Sequence, residues 1–164
     1  MSAQITVHVA DTQRSVAQGT TAGDLFEGDR AVLVARVDGE LRDLAHVLLG
    51  GEHVEPVTAA EQDGLDVLRH SAAHVLAQAV QEVHPDARLG IGPAIRDGFY
   101  YDFDVQTPFT PEDLKSLEKV MQRIINEGQT FHRREISDDD ALVELAGEPY
   151  KCELIGLKGG ASAD

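Results

Sequence analysis

Residues 65–84 read LDVLRHSAAHVLAQAVQEVH, and this stretch separates two kinds of hydrophobic pattern. Its apolar residues recur every three or four positions, which predicts the longest helix of the chain, ending at His84-Pro85. The residues before it alternate between apolar and polar in the manner of strands. We therefore expect an α+β fold with two domains, residues 1–61 and residues 62–164.

Strand signals surround one helix signal in residues 1–61. Thr21 is a good N-cap residue with Asp24 three positions on, which predicts a short helix. Asp38-Gly39 is typical of a tight hairpin turn. Strands followed by a short helix and further strands in this length are typical of a ubiquitin-like β-grasp. The predicted strands are residues 4–9, 15–17, 31–37, 40–44 and 54–57.

Residues 62–164 add a hairpin and two more helices to the long one. Thr110-Pro111 begins a helix with a cap and a proline at its first position, and Gly128 lies past its end. Ser137 and the aspartates after it begin a shorter helix. Strands are expected at 89–95 and 99–105, joined at Asp97-Gly98, and a loop at 158–164.

The charge balance restricts the function. With 14 Lys and Arg against 29 Asp and Glu, the net charge is −15, which opposes a free-standing nucleic-acid binder. If RNA is the substrate, another part of the molecule must attract it. Cys152 has no partner for an internal disulfide, the first residues lack a signal-peptide pattern, and no stretch is long and apolar enough for a membrane span. We expect a cytoplasmic protein that does not contact a membrane.

The long helix contains two histidines, His70 and His74, at a spacing that places both on one face, one turn apart. An arbitrary pair of this kind is more often an ordinary surface or core pair. Here the histidines are expected nearly opposite the apolar stripe, so that a cleft or open surface receives them. That stripe is predicted to be Leu65, Leu68, Ala72, Ala79 and Val83.

Such a pair supports metal binding or general base catalysis. Zinc normally takes three or four protein ligands. The residue four positions after Cys152 is Gly156 rather than histidine, and the helix lacks the glutamate of a His-Glu-x-x-His zinc protease. We therefore expect no metal in this chain.

Three other features have weak signals on their own. Gly90-Ile91-Gly92-Pro93 lacks the remaining glycine of a nucleotide-binding loop, so a close backbone approach is expected there. Tyr101 lies in an aromatic strand and faces the side opposite to its neighbour Tyr100. Lys151 follows a predicted helix end and would ordinarily be a solvated side chain.

Taken together, these features resemble a known family. The segments RHSAAH (69–74), GIGP (90–93), DGFYYD (97–102) and PYK (149–151) resemble, in order and spacing, the editing domain of bacterial threonyl-tRNA synthetases. The residues before them resemble the TGS domain of that family, which is a β-grasp module. The resemblance implies that residues 62–164 form a truncated editing domain of the threonyl/alanyl-tRNA synthetase second additional domain type.

The resemblance also implies an activity and site residues. It implies the N-terminal part of a threonyl-tRNA synthetase of class II. In that enzyme this region would hydrolyse the ester that joins serine to the threonine-specific tRNA. His70, His74 and Lys151 match the catalytic positions, and Tyr101 and Gly92 match substrate-binding positions. His70 and Lys151 are expected to activate water and stabilise the oxyanion, while His74 and Tyr101 hold the substrate.

Further parts of the family pattern are expected after residue 164. The editing pocket of the family also uses a Cys-x3-His element, and ATP, magnesium and zinc belong to the synthetic domain. A homodimer is expected only for the full-length enzyme, and activity of the chain alone stays open. Two alternatives remain at this point: a free-standing trans-editing deacylase, and a non-catalytic TGS module that binds RNA or a partner.

Overall fold

The computed structural model describes residues 3–130 and 134–160, and the chain divides into two compact units, residues 1–69 and residues 70–164. Helix α1, Gln62–Val83, begins in the first unit and ends in the second. The sequence-based boundary after residue 61 lies at the beginning of this helix. Helices and a mixed sheet together confirm the predicted α+β class.

A five-stranded mixed sheet in the order β2-β1-β5-β3-β4 forms the first unit. Strands β1 and β5 are parallel neighbours, and the other neighbouring strands are antiparallel. All five predicted strands are present, and β2 begins earlier than expected. The strands are β1 Gln4–Val9, β2 Thr12–Ala17, β3 Val32–Val37, β4 Glu40–Arg42 and β5 His53–Thr58.

The predicted hairpin turn at Asp38-Gly39 is confirmed. Both residues have positive φ, 49° and 86°, which suits a two-residue turn between antiparallel strands. The Asp38 carboxylate also accepts a hydrogen bond of 2.8 Å from the backbone N–H of His53. The turn therefore sets the β3–β4 pairing and attaches it to β5.

The predicted short helix after Thr21 is present, and it is a 3-10 helix. Thr21 and Asp24 exchange the expected capping hydrogen bonds, at 2.7 and 3.3 Å, but the helix is a single 3-10 turn, Gly23–Phe26. The N–H of Gly23 donates to Leu44 O at 2.8 Å, so a neighbouring segment takes up a backbone donor at the start of the turn. The core beneath it comprises Val7, Val9, Ala22, Ala35, Val37, Leu48 and Val54.

The beginning of α1 packs closely within the first unit. A β-carbon at Gly64 would lie 2.1 Å from the carbonyl oxygen of Thr58, so only glycine fits there. The Arg36 guanidinium lies 3.1 Å from the Asp63 carboxylate and 3.4 Å from that of Glu61. These contacts tie β3 and the end of β5 to the first turn of the helix.

Helices α2, Pro111–Glu127, and α3, Asp138–Glu144, lie in the second unit. Their predicted caps are confirmed, because Thr110 and Ser137 accept hydrogen bonds from backbone N–H groups of the first turns. Gly128 ends α2 in the left-handed conformation. The buried core of this unit comprises Ala79, Val80, Ala87, Leu117 and Ile124.

The predicted hairpin over residues 89–105 consists of two short ladders. The inner turn is Arg96-Asp97 rather than Asp97-Gly98, because Ile95 pairs with Gly98. Between the ladders, Pro93 has no N–H to donate, and this interrupts the strand. The ladders join β6 Arg88–Leu89 to β9 Phe103–Asp104, and β7 Ala94–Ile95 to β8 Gly98–Phe99.

A fourth helix, α4, Pro149–Gly160, was not predicted from the sequence. The loop predicted for residues 158–164 is therefore wrong as far as Gly160, and residues 161–164 lie outside the described residues. Proline suits the first helical position. Tyr150, Leu154 and Leu157 follow at helical spacing and line one cleft.

Candidate functional site

The two histidines of α1 form a hydrogen-bonded pair. Nε2 of His70 and Nε2 of His74 are 3.0 Å apart, and the ring planes are perpendicular, at 89°. One ring nitrogen must donate and the other must accept, because a hydrogen bond needs one hydrogen between the two atoms. The helix therefore places two imidazole rings next to each other with one shared hydrogen between them.

The position of this pair relative to the core differs from the expectation. Ala73 and Ala77, beside the histidines, are fully or almost fully buried, whereas Leu68 of the predicted stripe is 44% exposed. The histidines consequently lie next to buried alanines, although Ala79 of the predicted stripe is buried as well and both histidines remain exposed to solvent. Alanines are buried there because a short side chain lets neighbouring atoms come close to the helix.

The surroundings of His74 favour its neutral form. Partial burial lowers the pKa of His74 below its usual value of 6.5, and the positive charges of His70 and Lys151 lower it further. A neutral imidazole can accept a proton, so the lowered pKa keeps His74 available as a hydrogen-bond acceptor near neutral pH. Lys151 is thus close enough to influence this histidine.

Lys151 lies in the first turn of α4, not after a helix end as the sequence suggested. Its backbone N–H donates to the carbonyl oxygen of Glu148 at 3.0 Å, which helps to begin the helix. Its ammonium nitrogen lies 5.9 Å from the centre of the Tyr101 ring, within the range of a cation–π contact. The lysine therefore extends over an aromatic ring.

Tyr101 is fixed from two sides. Its ring stacks on Phe103 with centroids 4.7 Å apart and planes 18° from parallel. A β-carbon at Gly92 would lie 2.2 Å from Cδ2 of Tyr101, so the ring occupies the space that any larger residue would need. The expected close approach at Gly92 is made by this tyrosine.

The structure thus brings the five sequence-predicted residues into one chain of neighbours. Gly92 contacts Tyr101, Tyr101 lies beneath Lys151, Lys151 acts on His74, and His74 bonds to His70. Their catalytic and binding roles stay predictions. The arrangement can supply a neutral base, a cation and an aromatic surface.

Two clefts border these elements. A cleft of about 200 Å³ is lined by His74, Val75, Gln78 and the end of α2 near Ile125 and Gly128. A larger one of about 540 Å³ lies between α4 and the β6–β9 ladder and is lined by apolar and acidic side chains. Its lining includes Ile91, Asp102, Phe103, Tyr150, Leu154 and Leu157.

Sequence reasoning missed two residues beside the site, Gln81 and Glu148. Their side chains are hydrogen-bonded at 2.8 Å although 67 positions separate them in the chain. A separation of this length leaves no local pattern. The available local signal was Pro149 directly after Glu148, because proline favours the first position of a helix.

The remaining polar features have local partners. The Cys152 thiol donates to the carbonyl oxygen of Leu145 at 3.2 Å. Among residues 3–130 and 134–160, no group of three or more His, Cys, Asp or Glu side chains is placed to hold a metal ion. No helix within the described residues combines the length and apolar character needed to cross a membrane.

Comparisons with known proteins relate the chain to one enzyme family. No protein-family model matches it. A threonine--tRNA ligase of Streptomyces griseus is 63% identical over 149 residues, which are 91% of this chain and 23% of that protein. The chain matches the N-terminal region of threonine--tRNA ligases.

Other threonine--tRNA ligases show the same relationship. The ligase of Streptomyces avermitilis is 62% identical over 93% of this chain, and that of Thermobifida fusca is 58% identical over 97%. The chain spans 23% and 24% of those two ligases. The similarity includes both units of the chain, since it extends over nearly all of its residues.

Proposed function

We propose that this chain is the N-terminal part of a threonine--tRNA ligase, a class II aminoacyl-tRNA synthetase, and that residues 62–164 serve in proofreading. The proposed reaction is hydrolysis of the ester between serine and the tRNA for threonine. The observation that carries the proposal is the His70–His74 pair, 3.0 Å apart, with Lys151 and Tyr101 beside it.

Such a ligase needs proofreading for an energetic reason. Serine differs from threonine by the absence of one methyl group. Loss of one such group changes binding in a pocket by about 1–3 kcal/mol, which gives too little discrimination for accurate translation. A second site that hydrolyses the wrong product removes the error.

In the proposed mechanism the imidazole pair accepts a proton from water. When His70 donates the hydrogen between the facing nitrogens to His74, the other ring nitrogen of His70 is unprotonated and can act as a general base. The lowered pKa of His74 supports its role as the acceptor. His74 then orients His70, and the activated water attacks the ester carbonyl carbon.

The tetrahedral intermediate carries a negative oxygen, which the ammonium group of Lys151 stabilises. The bond between the carbonyl carbon and the ribose oxygen breaks, and the proton taken by His70 returns to that oxygen. Serine and uncharged tRNA are released. His74 and Tyr101 hold the substrate, and Gly92 leaves room for the Tyr101 ring.

We assign residues 1–61 to a TGS domain of the β-grasp type. The support is the strand order β2-β1-β5-β3-β4 with a parallel β1–β5 pair and a short helix between two hairpins. The editing assignment for residues 62–164 rests on the site residues and on the similarity to ligases.

The partner in this proposal is the tRNA for threonine. Because the chain carries a net charge of −15, basic surface elsewhere in the ligase would provide most of the attraction to RNA. We assign ATP, magnesium, zinc, the homodimer contacts and the Cys-x3-His element to the longer ligase. The proposed location is the cytoplasm.

The alternatives are weaker. The relatives carry the name of a ligase, which does not favour a free-standing deacylase or a non-catalytic TGS module. Purified residues 1–164 test the free-standing deacylase directly. Multiple-turnover hydrolysis of seryl-tRNA by this chain alone would support the deacylase.

The deciding experiment is His70→Ala in the full-length ligase. We expect hydrolysis of seryl-tRNA to fall by about 100-fold or more, since general base catalysis contributes about 10²–10⁴-fold, while aminoacylation with threonine is unchanged. His53→Ala is the matched control, because His53 is an exposed histidine of the first unit. An unchanged hydrolysis rate in His70→Ala would refute the assignment.

A further inference from the structure

Glu148 occupies a junction between the elements that hold the candidate site. Its carboxylate accepts a hydrogen bond from the Gln81 side chain at 2.8 Å and another from the backbone N–H of Leu89 at 3.1 Å. Its carbonyl oxygen accepts from the N–H groups of Lys151 and Cys152, at 3.0 and 3.1 Å. One residue therefore connects α1, β6 and the first turn of α4.

Each of these three contacts lies close to a site residue. Gln81 is seven positions after His74, so both lie on the same face of α1, two turns apart. Leu89 is three positions before Gly92. Lys151 is three positions after Glu148 and is hydrogen-bonded to it through the backbone. The carboxylate thus joins the segments that contain the histidines, the glycine and the lysine.

Further contacts fix the start of α4 just before Lys151. Arg88 donates to the carbonyl oxygen of Gly147 at 2.8 Å. Tyr150 donates to the Asp104 carboxylate at 3.0 Å. Glu148 lies between these two residues, and its carboxylate makes the contact that reaches α1. Hydrogen bonds to an ionised acceptor are stronger than hydrogen bonds between neutral groups.

We infer that Glu148 is a positioning residue, which holds Lys151 in place relative to the histidine pair and Tyr101. The inference rests on the proposed proofreading function. Glu148 acts through Lys151, because its carboxylate is bonded to Gln81 and Leu89 instead of facing the lysine and the histidines. Replacing it with alanine leaves the amide of Gln81 and the N–H of Leu89 without this acceptor and releases the start of α4.

The test uses Glu148→Ala, Lys151→Ala and the double variant in the full-length ligase. Misplacing a catalytic group by about 1 Å can cost about 10²-fold, so we expect Glu148→Ala to lower kcat for seryl-tRNA hydrolysis by about 10- to 100-fold, with little change in KM. Aminoacylation in the same molecules should be unchanged and reports on intact folding. The double variant should hydrolyse at the rate of Lys151→Ala.

A compensating pair keeps the hydrogen bonds while exchanging their partners. Gln81→Glu alone places two carboxylates together, so we expect slower hydrolysis. Combining it with Glu148→Gln lets the amide introduced at position 148 donate to the carboxylate at position 81 and accept from Leu89. We expect the combined variant to recover most of the wild-type rate.

The outcomes separate the inference from the function on which it rests. A wild-type rate for Lys151→Ala would overturn the proposed role of the lysine and the inference with it. If Lys151→Ala is slow, a wild-type rate for Glu148→Ala would overturn the inference alone. So would a further loss in the double variant, or a failure of the compensating pair to recover activity.

Discussion

The ring of Tyr101 lies against the backbone of Gly92, where a β-carbon would be 2.2 Å from Cδ2 and 2.5 Å from Cε2 of the ring. The ring stacks on Phe103 from another direction, and Lys151 lies over it. The tyrosine therefore has little room to move away. The absence of a side chain at position 92 decides where the aromatic surface of the candidate site can be.

Gly92→Ala should consequently displace Tyr101 and disturb the contact with Lys151. We expect seryl-tRNA hydrolysis by the full-length ligase to fall by about 10- to 100-fold, because small displacements of positioned groups have effects of this size. Threonine aminoacylation should be unchanged. The measurement is the single-turnover rate of hydrolysis.

Gly156→Ala is the matched control for this prediction. A β-carbon at Gly156 meets nothing within 4 Å, and this position lies inside α4. We expect an unchanged hydrolysis rate and slightly higher stability, since alanine favours helices over glycine. Equal rates for the two alanine variants would contradict the proposed role of Gly92.

The pKa of His74 should depend on Lys151. Burial, the charge of His70 and the charge of Lys151 hold this pKa below 6.5. Lys151→Met removes one of these charges, so the pKa of His74 should rise toward its usual value without reaching it. NMR titration of the imidazole signals measures the change.

Lys115→Met tests whether the effect is specific, because Lys115 is an exposed lysine on α2. We expect the pKa of His74 to be unchanged in that variant. The sign also predicts a pH effect on stability: because folded His74 binds a proton less readily than in the unfolded chain, stability is greatest above pH 6.5 and falls as the pH drops through the lowered pKa. An equal shift from both lysine substitutions would argue against the placement of Lys151.

The cap of α2 should stabilise the protein in a pH-dependent way. The Asp113 carboxylate accepts hydrogen bonds of 2.8 Å from both the backbone N–H and the hydroxyl of Thr110, and these lower its pKa below 3.8. A lowered carboxyl pKa contributes stability above pH 3.8, which is lost as the pH falls through the lowered value.

Asp113→Asn should therefore destabilise the protein at pH 7 and have a smaller effect at pH 3. Urea denaturation at the two pH values measures this difference. Glu118→Gln, also on α2 and exposed, serves as the control and should show less dependence on pH. If Asp113→Asn loses the same free energy of unfolding at both pH values, the carboxylate is ruled out as the cause of the loss.

Gly64→Ala should destabilise the first unit. The added carbon would lie 2.1 Å from a backbone oxygen of Thr58, which cannot turn aside as a flexible side chain can. Overpacking of this kind costs about 1–3 kcal/mol, more than the gain in helix propensity. Urea denaturation measures the loss, and Gly147→Ala, with nothing within 4 Å, is the control. Stability equal to wild type would show that α1 can shift at this point.

Local signals in the sequence predicted much of the fold. The limits of α2 follow from Thr110, Pro111 and Gly128, whose effects operate within a few residues of each helix end. The Asp38-Gly39 turn is similarly local. Helix α4 escaped detection because its stability depends on distant partners, such as the Asp104 carboxylate bonded to Tyr150.

The contrast between local signals and distant contacts applies to the candidate site as well. The spacing of His70 and His74 was sufficient to predict a pair on one face, and the structure adds a direct hydrogen bond. The buried face of α1 was predicted only in part: Ala79 is fully buried as expected, whereas Leu68 is 44% exposed and Ala73 and Ala77 are buried instead. The distance between packed elements decides which face of α1 is buried. No local pattern in a single sequence gives that distance.

The facing nitrogens of His70 and His74 leave space for one hydrogen atom. A second hydrogen there would place two N–H groups head to head and make His74 a cation, which its partial burial and the positive charges of His70 and Lys151 oppose. In the proposed mechanism the other ring nitrogen of His70 therefore receives the proton from water, while the shared hydrogen stays between the facing nitrogens. In a hydrolysis that takes a proton from water and returns it to the leaving alcohol, such a pair ends each turnover as it began, ready without waiting for exchange with the solvent.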